Sequence, residues 1–157
     1  MNIQIQTTGI TTTKEALYFL VHFAKLQGLD RAQLEDKLNQ KPRFNIYTLY
    51  RRKNIYFEEL SVIAEALDLC TYIVFSEKNQ IISSGLNTTK KALSFFTKYA
   101  KSKSYTHAEL ESKLNEKPNY IRNLFRRTDL YFDELAAIAG ALSLSTTITF
   151  SSIKTMQ

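Results

Sequence analysis

At 157 residues the chain forms one ordinary domain or two small ones, and its 44% hydrophobic content is ample for a core. The net charge of +6 favours an anionic partner. Cys70 is the only cysteine, which excludes an intrachain disulfide, and the longest apolar run, Ala16 to Val21, is too short to span a bilayer.

Asn2 to Gln6 alternates apolar and polar residues and predicts a short strand. It has neither the basic start nor the long apolar run of a signal peptide, so a cytoplasmic protein with no membrane partner is expected. Thr12 with Glu15 marks a capping box, and Ala16, Leu17, Leu20, Val21 and Ala24 follow helical spacing up to Gln27, before Gly28. Asp30 with Gln33 opens a second helix that ends at Leu38, where Asn39 suits a left-handed stop. Proline is tolerated at a first helical position, so a third helix is expected from Pro42 to about Arg52. A fourth covers Phe57 to Leu67, and Tyr72 to Phe75 reads as a strand.

After a polar turn over Ser76 to Asn79 comes a second short strand, Gln80 to Ser83, and then the cycle returns. Helices are expected over Thr89 to Lys103, from the Thr106/Glu109 capping box to Leu114-Asn115, over Pro118 to Arg127, and over Phe132 to Leu142. Thr146 to Phe150 is the closing strand. The return is visible in the letters: Leu34-Glu35-Asp36-Lys37-Leu38 reappears as Leu110-Glu111-Ser112-Lys113-Leu114, and Arg51-Arg52 with Tyr56-Phe57 as Arg126-Arg127 with Tyr131-Phe132. The match runs from Gly9 against Gly85 to Phe75 against Phe150. The expected organisation is therefore mainly α: two units of about four helices each, 1–78 and 79–157, flanked by short β-strands that pair into a small sheet. The charge is divided unevenly. Residues 1–80 carry ten Lys/Arg against nine Asp/Glu, and residues 81–157 eleven against six, so the second half should contribute more phosphate contacts to any nucleic acid.

One set of positions in each unit has a familiar arrangement. In the second it comprises Leu110, Leu114, Asn115, Ile121, Leu124, Arg126-Arg127, and then Leu135, Ile138, Ala139, Ala141 and Leu142. In the first it comprises Leu34, Leu38, Asn39, Ile46, Leu49, Arg51-Arg52, Leu60, Ile63, Ala64, Ala66 and Leu67. The pattern resembles the lambda-repressor and Cro-like (XRE-type) helix-turn-helix family, present as a tandem duplication. The resemblance implies a recognition helix lying in the major groove with its N-terminal part on base edges. The residues it brings there are Asn119, Tyr120, Arg122 and Asn123 in the second unit, and Arg43, Asn45, Tyr47 and Thr48 in the first. Lys41, Arg51, Arg52, Lys117, Arg126 and Arg127 would sit nearer phosphates. The family usually works as two-fold dimers; a tandem chain would imitate one covalently, with recognition helices about 34 Å apart, and a homodimer is a further option. The sequence departs from the pattern at Glu35 and Glu111, where alanine or glycine is usual beside the recognition helix, and at Gln40 and Glu116, where valine is usual. The first unit also has one extra residue between Pro42 and Arg51.

Several features admit plainer readings. The paired arginines close helices, where cations favour the dipole. Tyr56-Phe57 and Tyr131-Phe132 read as packing groups at helix starts, and Tyr50 and Phe125 as partly buried. Thr88-Thr89-Lys90-Lys91 would grip a phosphate or simply cap a helix. His22 and His107 have no partner at metal-ligand spacing, the acidic pairs Glu58-Glu59 and Asp133-Glu134 fall in first helical turns, and no glycine-rich phosphate loop occurs. No catalytic residue, metal or cofactor is expected.

The leading expectation is sequence-specific binding of duplex DNA, as a transcriptional repressor or regulator of prokaryotic or phage type. The alternative is a protein-interaction module, including a phage-type inhibitor of a host protein, suggested by Glu35, Glu111 and Glu116 and by nine tyrosines and ten phenylalanines. RNA binding through the basic second half with Tyr120 and Phe125 is a third.

Overall fold

The computed structural model describes residues 9–38, 45–127 and 130–152. Over these residues the chain is mainly α with a small sheet. Helices α1 (Thr13–Leu26), α2 (Arg31–Leu38), α3 (Ile46–Arg51) and α4 (Phe57–Ala66) lead into strand β1 (Leu69–Glu77) and the short β2 (Gln80–Ile81). Helices α5 (Thr89–Ser102), α6 (His107–Lys113), α7 (Tyr120–Arg126) and α8 (Phe132–Gly140) lead into β3 (Ser145–Ser152). The strands make one sheet in the order β2-β1-β3. The strand expected over Asn2 to Gln6 lies outside the described residues, as do Asn39 to Phe44 with the expected start of the third helix at Pro42.

Local chemistry sets the helix ends. The Thr12 and Thr88 side chains accept hydrogen bonds from the amides of Glu15 and Lys91, each at 3.1 Å. Asp30 and Gln33 form a reciprocal box, both bonds 2.8 Å. Past α1 the chain turns left-handed at Gly28 (φ 84°), and past α5 it does the same at Ser104 (φ 67°), the matching position. Glycine has no Cβ to oppose that conformation and serine does, so the second copy carries a local strain that the first lacks. Lys78 (φ 49°) and Asn79 (φ 67°) make the two-residue turn that pairs Ser76 with Ile81 and Glu77 with Gln80. One expected start moves: the helix proposed from Pro118 begins at Tyr120, because Asn119 is left-handed (φ 71°) and cannot belong to a right-handed helix.

The chain forms two compact units, and the first contains a strand segment from far along the sequence. The first takes the chain up to Thr71 together with the stretch from Ile148 onward; the second is Tyr72–Thr147. The cuts between these compact units fall within β1 and β3. In the first unit Ala16, Leu17, Leu20, Leu34, Ile46, Leu49, Phe57, Leu60 and Ile63 are buried. Phe150 stacks on Phe19 (5.2 Å between centroids), which stacks on Phe23 (6.0 Å). In the second unit Ala92, Leu93, Phe96, Leu110, Ile121, Leu124, Phe132, Leu135 and Ile138 are buried. There Phe75 stacks on Phe95 (5.6 Å), which stacks on Tyr99 (6.5 Å). Phe75 and Phe150 are repeat counterparts, and both have no exposed surface. Each unit is therefore closed by the strand that follows the other unit's helices. The sequence pattern did not contain this, because either strand presents the same alternating face, with Leu69, Thr71, Ile73 and Phe75 buried in β1 and Thr146, Ile148 and Phe150 in β3.

Candidate nucleic-acid interface

The third helix of each unit, α3 or α7, has six or seven residues. Isolated helices shorter than roughly 12–15 residues are marginal in water, so these depend on tertiary support. The support comes from charged side chains at both ends. At the N-terminal end of α3, Glu35 Oε1 accepts from the Ile46 amide at 2.9 Å. At α7, Glu111 Oε2 accepts from the Ile121 amide, also at 2.9 Å, and Glu111 is only 6% exposed. A carboxylate there satisfies an amide that has no intrahelical partner and sits at the positive end of the dipole. At the C-terminal end, Lys14 Nζ donates to the carbonyls of Leu49, at 3.2 Å, and Tyr50. Lys90 Nζ donates to those of Leu124 (3.3 Å) and Phe125 (2.5 Å). A lysine on the first helix of each unit thus closes the negative end of the third.

These contacts bear on two sequence readings. Glu35 and Glu111 turn inward to hold a helix, so they are not acidic intrusions on an outer face. Thr88 caps α5, the plainer of the two readings of Thr88 to Lys91, while Lys90 reaches the end of α7.

A third matched contact joins the end of each short helix to the next. Arg52 Nη1 and Nη2 donate to Glu59 at 2.6 and 2.9 Å. Arg127 does the same to Glu134 at 2.5 and 2.9 Å. Glu59 also accepts from the Tyr56 amide (2.8 Å) and Glu134 from that of Tyr131 (3.0 Å). Bidentate pairing fixes both guanidinium planes, so Arg52 and Arg127, expected near phosphates, are structural here. The acidic first turns of α4 and α8 likewise serve the fold.

What faces outward differs between the units. Around α7, Arg122, Asn123 and Arg126 are exposed on the helix, with Lys117 and Asn119 exposed in the turn before it. Tyr120, expected to point outward, is half-buried, and burial first, then the nearby Glu134 and Glu116 carboxylates, push its phenol above the ordinary value while Arg127 pulls it down. Phe125 is 37% exposed, more than expected. Around α3, Tyr47, Thr48 and Arg51 are exposed, and Asn45 is spent as a cap, its Oδ1 accepting from the Thr48 amide at 3.1 Å. Lys41 and Arg43 lie outside the described residues. Arg51 stands 4.7 Å from the Tyr47 ring centroid and donates to its hydroxyl at 3.4 Å. Tyr50 is half-buried as expected; burial raises its phenol pKa against the lowering effect of Arg31.

No family model, curated protein or solved structure matches the chain. The site therefore rests on its own geometry. Among the described residues no group of three or more His, Cys, Asp or Glu side chains could hold a metal ion, and no helix is long and apolar enough to cross a membrane. The helix-end contacts of Lys14, Lys90, Glu35 and Glu111 were missed in the sequence; the available signal was that both charges recur unchanged at matching places, which by itself says nothing about direction.

Proposed function

We propose that the chain is a cytoplasmic binder of duplex DNA, built from two tandem helix-turn-helix units and acting as a transcriptional regulator of prokaryotic or phage type. The observation that supports this most is the outer face of α7. Arg122, Asn123 and Arg126 project from a helix pinned at both ends by Glu111 and Lys90, and neither Arg122 nor Arg126 has a salt-bridge partner among the described residues. Donors on a rigid short helix suit groove recognition, with arginine on guanine, asparagine on adenine and the remaining cations on phosphate. Arg126 and Lys117, with Arg51 from the first unit, are the phosphate contacts of this reading.

Fluorescence anisotropy with a random duplex across a salt series tests it. Three phosphate contacts would give a log–log slope of about −3. Arg122→Ala should cost roughly 1–3 kcal/mol on the preferred site and relax base choice. Equal loss on preferred and random duplex would remove the base-reading role, and no binding at low salt would defeat the proposal. A protein-interaction module is the second reading, supported by Tyr18 at 59% and Tyr47 at 51% exposure. The inward turn of Glu35 and Glu111 takes away part of its original motivation.

A further inference from the structure

On the first unit, Tyr18, Arg31, Tyr47, Tyr50 and Arg51 line an open cavity of about 420 Å³, within the range of small-ligand sites, about 300–1,000 Å³. Its walls are rings and guanidinium planes. Tyr18 and Tyr50 lie 5.0 Å apart, centroid to centroid. The Arg31 guanidinium is 5.4 Å from the Tyr50 ring and 5.8 Å from the Tyr47 ring, and Arg51 is 4.7 Å from Tyr47. Among the described residues no carboxylate lines the cavity, and neither arginine has a salt-bridge partner. Two unbalanced forks call for an anion, and the exposed rings of Tyr18 and Tyr47 call for a planar group.

From this we infer that the first unit carries a nucleotide site. The base of an unpaired nucleotide stacks against the tyrosines and its phosphate bridges Arg31 and Arg51. Base-on-aromatic stacking contributes about 1–3 kcal/mol per base, and arginine adds a cation–π share. A base inside a duplex is already stacked on its neighbours and cannot enter. An acidic peptide would satisfy the arginines but leave the rings unused; an apolar ligand would do the reverse. The matching positions of the second unit are Ser94, His107, Arg122, Phe125 and Arg126, which cannot rebuild the three-tyrosine wall. The site therefore belongs to one copy alone and extends the function beyond duplex binding.

Isothermal titration calorimetry of the full chain with 5′-AMP, inorganic phosphate and a single-stranded oligothymidylate tests this. Saturable binding of 5′-AMP is expected, with inorganic phosphate at least tenfold weaker. Tyr18→Ala and Arg31→Ala should each weaken 5′-AMP binding tenfold or more while leaving duplex affinity unchanged. Arg122→Ala should do the opposite, so failure of this site and failure of the duplex reading are separable. A stronger response to the oligomer than to 5′-AMP assigns the nucleotide to a single strand; the reverse assigns a free nucleotide. Equal affinity for phosphate and 5′-AMP, indifference to both pocket variants, or no binding would overturn the inference, the last leaving the tyrosines to a protein partner.

Discussion

The two units keep the same interior charges and differ on the outside. Glu35 and Glu111, Lys14 and Lys90, and the pairs Arg52–Glu59 and Arg127–Glu134 occupy matching places and make matching bonds. The positions that face outward have separated: Tyr47 against Arg122, Tyr18 against Ser94, Arg31 against His107. The physical lesson is one of constraint. A helix of six or seven residues cannot hold itself, so the charges at its ends are bound to their partners by geometry. Its outer residues touch solvent, where substitution costs little stability and can change what is bound.

The largest effects should come from the strand exchange. Phe75→Ala and Phe150→Ala are each expected to cost about 3–5 kcal/mol, from lost burial plus the cavity left behind. Amide exchange should show Phe75→Ala loosening α5 and Phe150→Ala loosening α1. Loosening of the opposite helix in either variant would contradict the assignment of strands to units.

A sharper test of equivalence is the helix-end carboxylate. Glu111→Ala should destabilise by about 1–3 kcal/mol, because it orphans a buried amide. Glu35→Ala should cost less, since Glu35 is half-buried and water can reach the amide it serves. Urea unfolding of the two variants measures the difference, and equal costs would mean that burial of Glu111 adds nothing.

The smallest expected effect lies at Tyr99, whose hydroxyl donates to Glu77 at 2.5 Å. That bond, then burial, then the Glu77 charge push its phenol from 10.0 up to about 12. A folded-state pKa above the unfolded value gives stability that is fully present below pH 10 and is lost as pH rises toward 12. Tyr99→Phe should cost about 0.5–1.5 kcal/mol at neutral pH and reduce the alkaline loss in that window. Denaturation at neutral and alkaline pH reads both, and an unchanged alkaline loss would assign it to other groups. The first unit has Phe23 and Ser152 at these places, so the tie is another feature of one copy.

Most helices were legible in the sequence, because capping residues and apolar spacing are local signals. Thr12, Asp30, Thr88 and Thr106 each cap the helix that follows, and α4 and α8 begin at Phe57 and Phe132 as expected. The outward placement of Arg122, Asn123 and Arg126 was legible too, since Ile121 and Leu124 fix which face is buried. The roles of Arg52, Arg127 and Asn45 were not. An arginine at a helix end reads alike whether it meets a phosphate or a carboxylate seven residues on, and an asparagine reads alike as cap or base reader.

The sequence by itself determined the duplication, the mainly helical composition and the basic balance of the second half, because each is carried by neighbouring residues or simple counts. Only the tertiary structure decided that Glu35 and Glu111 turn inward, that Tyr18, Arg31 and Tyr47 converge on one cavity, and which helices Phe75 and Phe150 cover. Those outcomes join residues distant along the chain, and two near-identical strands offer near-identical faces; packing chooses between them, and local pattern cannot.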